Sequence, residues 1–165
     1  MSNLATLSVL DLPGGYLDSL RQAALGRGIE IHNERLDDAD DLPERLRQLA
    51  RRGIDALWLP PDPLLINVNT FAVFREFSRA NGVPFYAPTA GFVEAGAVAA
   101  VAPSFREIGV VAASATLDLL AGVVGNTEVY PAHGETTVNL EAARRAGLSE
   151  DDVRRVADRL IEAVH

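Results

Sequence analysis

The sequence contains no cysteine, and all 15 of its basic residues are Arg. Without thiols there is no disulfide, no thiolate nucleophile and no Cys-based metal site. Basic residues are outnumbered by 23 acidic ones, which leaves a formal net charge of −8. Such a chain repels a phosphate backbone, and no basic stripe with interleaved aromatics is present, so no nucleic-acid partner is expected. No uncharged apolar run is long enough to span a bilayer, so no membrane insertion is expected. The opening Met1-Ser2-Asn3-Leu4 has no basic region before an apolar stretch, and the first apolar run is broken by Thr6 and Ser8. It reads as a strand, not a signal peptide. As written, the sequence predicts a cytoplasmic location, or a periplasmic one if it is a fragment of a secreted precursor.

What is present is a chain of 165 residues, 48% hydrophobic, enough for one sizeable core. One pattern recurs. A helix closes at Gly, a β-branched residue follows, and a short apolar run comes next. It occurs at Gly28-Ile29-Glu30-Ile31, at Gly53 through Leu59 and at Gly82-Val83-Pro84-Phe85-Tyr86. Strands alternating with helices predict a mainly parallel sheet in a Rossmann-like three-layer α/β sandwich. A single domain is expected over 1–165. Residues 1–102 form its Rossmann-like core, and 103–165 supply a crossover helix, short strands and a C-terminal helix.

Strands are predicted at 4–10, 30–33, 56–59, 84–87 and 97–101, with short extended segments at 128–130 and 135–139. Helices are predicted at 16–27, at 65–80 with Phe71, Phe74 and Phe77 three apart, and from Ser104 to Ala121. In the first, Leu17, Leu20, Ala24 and Leu25 share a face. Another helix, capped by Asp40 or Asp41, turns Leu42, Leu46 and Leu49 inward. Asn139 caps a short helix. Ser149 and Asp152 open a last one with Val153, Val156, Leu160 and Ile161 inward. The 104–121 helix is unusual: it has no charge from Ile108 to Leu117, a small-residue stripe at Gly109, Ala112, Ala113 and Thr116, and apolar residues on its other faces. A helix apolar all round is buried on several sides.

Catalytic patterns are lacking. His32, His133 and His165 share no metal-ligand spacing, so no metal and no cofactor are expected. Leu12-Pro13-Gly14-Gly15-Tyr16 lies between a strand and a helix but lacks G-x-G-x-x-G and the P-loop Lys. Asp37, Asp38, Asp40 and Asp41 suit capping and the helix dipole. Ser8, Ser78, Ser104 and Ser114 sit in no nucleophile elbow. No acid–base pair stands out, and no enzyme is predicted. What remains is geometry: parallel α/β sheets bind ligands beyond the carboxyl ends of their strands. That rule selects Tyr16, Asp62, Asn67, Thr89 and Phe105 as candidate ligand-binding residues, expected together along one edge.

Four segments occur in order: Asp55-Ala56-Leu57-Trp58-Leu59-Pro60-Pro61-Asp62, Gly91-Phe92-Val93-Glu94-Ala95-Gly96-Ala97, Phe105-Arg106-Glu107-Ile108-Gly109 and Thr137-Val138-Asn139-Leu140-Glu141-Ala142-Ala143. Together they resemble the substrate-binding proteins of ABC transporters, of the tryptophan- and tyrosine-binding group, with a periplasmic-binding-protein type 1 fold. The resemblance implies two lobes closing on a ligand and an ABC permease as partner, and this chain resembles the second lobe alone. Asp62 matches the family's acid after the third strand. Thr89 and Ala90 stand where an acid precedes Gly-x-Val-Glu, and Ser104 stands where an Asp precedes the aromatic-x-Glu-x-Gly motif. Acids there would hold an α-ammonium group, so the resemblance, with these departures, implies a ligand other than a free amino acid. The leading expectation is a non-enzymatic small-molecule-binding domain, homodimeric through the 104–121 helix. The alternatives are a structural or regulatory interaction module that has lost its ligand, and an enzyme whose catalytic residues do not stand out.

Overall fold

Strands β1 (Ser2–Ser8), β2 (Ile29–Arg35), β3 (Ala56–Trp58), β4 (Phe85–Tyr86), β5 (Ala99–Ala102), β6 (Glu135–Asn139) and β7 (Arg159–Ile161) form one sheet in a computed structural model that describes residues 2–8, 15–123, 125 and 129–162. The order is β2-β1-β3-β4-β5-β6-β7. All neighbours are parallel except β5 and β6, where Ala102 faces Glu135 and Ala99 faces Val138 in an antiparallel ladder. This is the mainly parallel α/β sheet expected from the Gly-then-apolar pattern. Two of its glycines close helices in the left-handed region: Gly53 ends α2 (Leu42–Arg52) with φ 73°, and Gly82 ends α3 (Val68–Asn81) with φ 66°. A side chain in that conformation would be strained.

Alternation along the strands gives the sheet two different faces. Ala5, Leu7, Leu57, Leu59, Phe85 and Ala87 point to one of them and are buried. They lie beneath Leu42, Leu46 and Leu49 of α2, Phe71, Phe74 and Phe77 of α3, and Val93 of α4 (Ala90–Glu94). The Phe71 ring stands 5.5 Å from that of Phe85 and 5.0 Å from that of Phe92. The opposite face carries the cross-strand row Thr6–Trp58–Tyr86–Ala99–Val138. On that side α1 (Tyr16–Leu25) packs along β2. At the far edge α6 (Leu140–Arg145) and α7 (Glu150–Val156) pack Leu140, Ala142, Ala143 and Val153 on Val98, Ala99 and Val138.

Several details differ from the sequence expectation. The capping side chain before α2 is Asp38, which accepts from the Asp40 N–H at 3.0 Å and opens a 3-10 turn, Ala39–Asp41; Asp41 makes no side-chain cap. The 65–80 helix begins later, at Val68, because Asn67 caps it: the Asn67 amide oxygen accepts from Asn69 and Thr70 N–H, and Thr70 Oγ1 accepts from the Asn67 N–H. In α1 only Ala24 is buried, and Leu25 is 79% exposed. α4 was not expected at all.

The last helix is shorter than predicted. It stops at Val156, which is exposed. Asp158 N–H donates to the Thr136 carbonyl at 2.9 Å, and Thr136 N–H donates to the Asp158 carboxylate at 2.7 Å. That pair pulls the chain into the sheet, so Leu160 and Ile161 belong to β7 rather than to a helix face. Val129 and Tyr130 form no strand, and Glu128 lies outside the described residues.

The largest difference concerns α5 (Phe105–Leu120). Ser104 caps it as expected, accepting from the Glu107 N–H at 3.2 Å. Not one of its residues is buried. Phe105, Leu117, Leu119 and Leu120 are all more than half exposed. The chain leaves the sheet after Ala102 and rejoins it at Glu135, opposite the point of departure, so α5 is an excursion tethered at the carboxyl end of β5. Gly134 permits the tight return: a Cβ there would stand 2.9 Å from Val101 Cγ1.

Candidate ligand-binding site

The strands β3, β4 and β5 end at one edge, followed by the segments 59–67, 87–92 and 103–105. Below that edge, on the face bearing Trp58 and Tyr86, no helix among the described residues covers the middle of the sheet between α1 and α7. The result is a groove of about 950 Å³. Its floor is Ala56, Trp58, Tyr86, Ala99 and Val138, one residue from each alternation of the central strands. Pro61, Pro63, Ile66, Pro88, Thr89 and Phe92 form its mouth, and Leu148, Val153 and Val156 form the wall beside α7. The Tyr16 ring closes the α1 side, 5.8 Å from the Trp58 ring and tilted against it. Burial raises the phenol pKa of both Tyr16 and Tyr86 above the usual value, because the phenolate would lose its hydration.

The groove is almost without charge. Among the described residues Asp55 is the one carboxylate lining it, at the amino end of β3, and its Oδ2 already accepts the Asn3 N–H at 2.7 Å. No Arg lines it. Such a surface favours an apolar, uncharged occupant.

Of the five residues selected from sequence, Tyr16 and Thr89 line this groove. Asp62 and Asn67 belong to the loop whose Pro61, Pro63 and Ile66 form the mouth, but both have structural work within it. Asp62 is 2% exposed, and its Oδ1 accepts from the Leu64 N–H at 2.9 Å. Asn67 caps α3 and also donates from Nδ2 to the Leu64 carbonyl at 3.1 Å. Phe105 opens α5 and is 88% exposed, outside the groove lining. Trp58, Tyr86 and Phe92 were not selected from sequence. For Trp58 the signal lay in the apolar run 56–59: when Leu57 and Leu59 turn to the buried side, Trp58 must turn to the other.

Of the other sequence candidates, His32 Nε2 lies 3.4 Å from Asn3 Oδ1 and 3.6 Å from Glu30 Oε1, His133 is exposed, and His165 lies outside the described residues. Residues 12–14 of the Leu12–Tyr16 turn also lie outside them. Among the described residues no group of three His, Asp or Glu side chains could hold a metal ion. No helix among them is long and apolar enough to cross a membrane.

No protein-family model matches the sequence, and comparison with curated protein sequences gives no match. Solved structures do match. One is an ABC domain in complex with L-Trp from Streptococcus pneumonia, at TM-score 0.79 and 17% identity, covering 97% of this chain and 55% of that one. A conserved domain protein from Vibrio cholerae matches at TM-score 0.74 and 16% identity, with 97% and 55% covered. A substrate-binding protein with adhesive properties from Clostridium difficile, in its ligand-free open form, matches at TM-score 0.72 and 16% identity, with 98% and 55% covered. The fold is therefore that of one lobe of an ABC substrate-binding protein, as the four sequence segments suggested. The chain spans about half the length of these structures.

Proposed function

We propose that the chain is a non-enzymatic domain that binds a small molecule at the carboxyl edge of its sheet, as the substrate-binding proteins of ABC transporters do, and that it acts as a homodimer. The observation that carries this reading is the convergence of the 59–67 and 87–92 segments, with Tyr16, on one apolar mouth at that edge, in a fold shared with substrate-binding lobes. Residues 1–165 would act as one α/β unit. The ligand is uncharged or weakly polar. Thr89 and Ala90 supply no carboxylate, the Asp62 carboxylate accepts from the Leu64 N–H of its own loop, and no cation among the described residues lines the mouth. The L-Trp held by the Streptococcus protein is thus not the expected ligand here. A permease partner and a periplasmic location would follow if the chain serves transport.

A panel of small metabolites tested by thermal shift and then calorimetry checks this reading. At least one neutral, largely apolar compound is expected to raise the melting temperature. Free aromatic and aliphatic amino acids are expected to give no heat of binding. Micromolar binding of an amino acid would refute the ligand class, and silence across the panel would refute ligand binding.

One observation favours a second reading, an interaction module without a ligand: α5 is fully formed and none of its residues is buried. The same panel separates the two readings, because a pure interaction module responds to no small molecule.

A further inference from the structure

We infer that the central groove is a docking site for α5 of a second copy of this chain, so that two copies exchange helices reciprocally. This inference rests on the proposed homodimer and says how it is built.

The chain carries two uncovered apolar surfaces, and each matches the other. The first is α5, 16 residues long with no buried residue and no charge from Ile108 to Leu117. At 1.5 Å per residue it is about 24 Å long and about 10 Å across. The second is the groove. It runs along the strands from Ser2 and Asp55 at their amino ends to Pro88 and Thr89 at their carboxyl ends. Along β3 the lining runs from Asp55 to Pro61, about 20 Å of extended chain. Its lining crosses from Ser2, Asn3 and Leu4 of β1 over β3, β4 and β5 to Thr136 and Val138 of β6, and four gaps of about 4.8 Å between these five strands give about 19 Å of width. The charge-free run of α5 from Ile108 to Leu117, about 15 Å long, fits within that space.

Chemistry and shape agree with the dimensions. The groove's carboxylate is at its amino end and is already hydrogen-bonded to the chain, so no charge on the helix is needed. Ala56 and Ala99 lie on the groove floor, and Gly109, Ala112, Ala113 and Thr116 form the small stripe on the helix. Small residues on both sides let a helix backbone approach the sheet closely. Thr116 adds no unpaired donor, since its hydroxyl donates to the Ala112 carbonyl at 2.8 Å.

The placement favours a second copy. α5 projects from the carboxyl edge, and the groove opens at that same edge. A two-fold axis beyond the edge lets each α5 enter the other's groove, which closes the assembly and covers the groove and one face of each helix. Two identical helix-in-groove contacts double the buried area, toward the 1,200–2,000 Å² typical of stable interfaces.

The absence of native cysteine makes the test unambiguous. Single-cysteine variants are made in the helix (Ala112→Cys, Ala113→Cys, Thr116→Cys) and in the groove (Ala56→Cys, Ala99→Cys). One helix variant and one groove variant are co-expressed and oxidised. The expected product is a disulfide-linked dimer between unlike variants, abundant for at least one pairing and absent for each variant alone. Trp58, the single tryptophan, lines the groove, so its emission should move to shorter wavelength as protein concentration rises through the dimerisation range.

A dimer that links only like helix variants, with Trp58 emission unchanged, would overturn the groove inference and leave the homodimer standing. An intrachain disulfide in the monomeric Ala99→Cys, Ala113→Cys double variant would show that the helix folds onto its own sheet, also against the inference. A monomer at high concentration by sedimentation would overturn both the inference and the dimer. Ligand binding is read separately, by the metabolite panel.

Discussion

Removing one buried amide should loosen three elements at once. Asn139 is fully buried at the end of β6. Its Oδ1 accepts from the Ala142 N–H at 2.9 Å and caps α6, and its Nδ2 donates to the Val93 carbonyl of α4 at 3.0 Å. Its backbone N–H donates to Val98 ahead of β5. In Asn139→Ala the cap is lost, at about 1 kcal/mol. The amide-to-carbonyl bond is lost as well, at about 0.5–1.5 kcal/mol. The Val93 carbonyl keeps a partner in the Gly96 N–H at 3.1 Å, so it is not orphaned outright. A total of about 1.5–2.5 kcal/mol follows, and for a chain of this size each kcal/mol lowers the melting temperature by about 2–4 °C. Calorimetry and urea denaturation should both report the loss.

The companion variant Asn139→Asp keeps the acceptor for Ala142 but faces the Val93 carbonyl with a carboxylate. Burial and that carbonyl oxygen raise the new group's folded pKa above its unfolded one. Its stability is therefore fullest below the unfolded pKa, where the protonated form can donate, and is lost as pH rises through the folded pKa. The Asp variant should recover stability relative to the Ala variant on mild acidification. An Ala variant within about 0.5 kcal/mol of the parent would refute the stapling role, since that is the range of ordinary surface substitutions.

Phe74 is fully buried in α3, so Phe74→Ala should cost about 3–5 kcal/mol, read as a lower denaturation midpoint at unchanged slope. Ala113→Arg places a charge on the apolar run of α5 and should shift the sedimentation profile from dimer to monomer or aggregate, with the monomer's circular dichroism unchanged. Burial raises the pKa of Tyr16 and Tyr86, so both stabilise the fold fully below the ordinary phenol value, and that contribution is lost as pH rises through their raised values. Phenolate absorbance should show a delayed alkaline phase that Tyr86→Phe reduces; native tyrosines all titrating at the ordinary value would contradict this.

Much of this fold was legible from punctuation. Glycines in the left-handed region at the ends of α2 and α3, each followed by an apolar run, placed β3 and β4 and implied parallel strands. The Phe71, Phe74 and Phe77 spacing identified the buried side of α3, and Asn139 was readable as a cap. What was not legible depended on contacts far apart in the chain. The Thr136–Asp158 pair, 22 residues apart, turns a helical-looking Leu160 and Ile161 into a strand. The Asn139 bond to Val93 spans 46 residues, and no local pattern announces it. The rim rule named Asp62 and Asn67 from their position after a strand, yet position does not say whether a side chain is already engaged in its own loop. The groove escaped for another reason. It exists because nothing covers Trp58 and Tyr86, and a short apolar strand looks the same in sequence whether its second face is covered or bare.

The rim and the groove meet at Pro88 and Thr89, and that meeting ties ligand binding to assembly. If a partner helix fills the groove, a ligand at the rim sits on top of the helix and leaves the dimerisation constant unchanged or strengthens it. A ligand that enters the groove itself must displace the helix, and by linkage it weakens the dimer by the same factor by which the dimer weakens its binding. The apolar floor suits a helix better than a small molecule: a helix spans the whole length from Ser2 to Thr89, whereas a small ligand would leave much of that length wet. Sedimentation equilibrium with saturating ligand should therefore give a dimer constant no weaker than without it. A tenfold weakening, about 1.4 kcal/mol, would place the ligand in the groove and return α5 to the solvent.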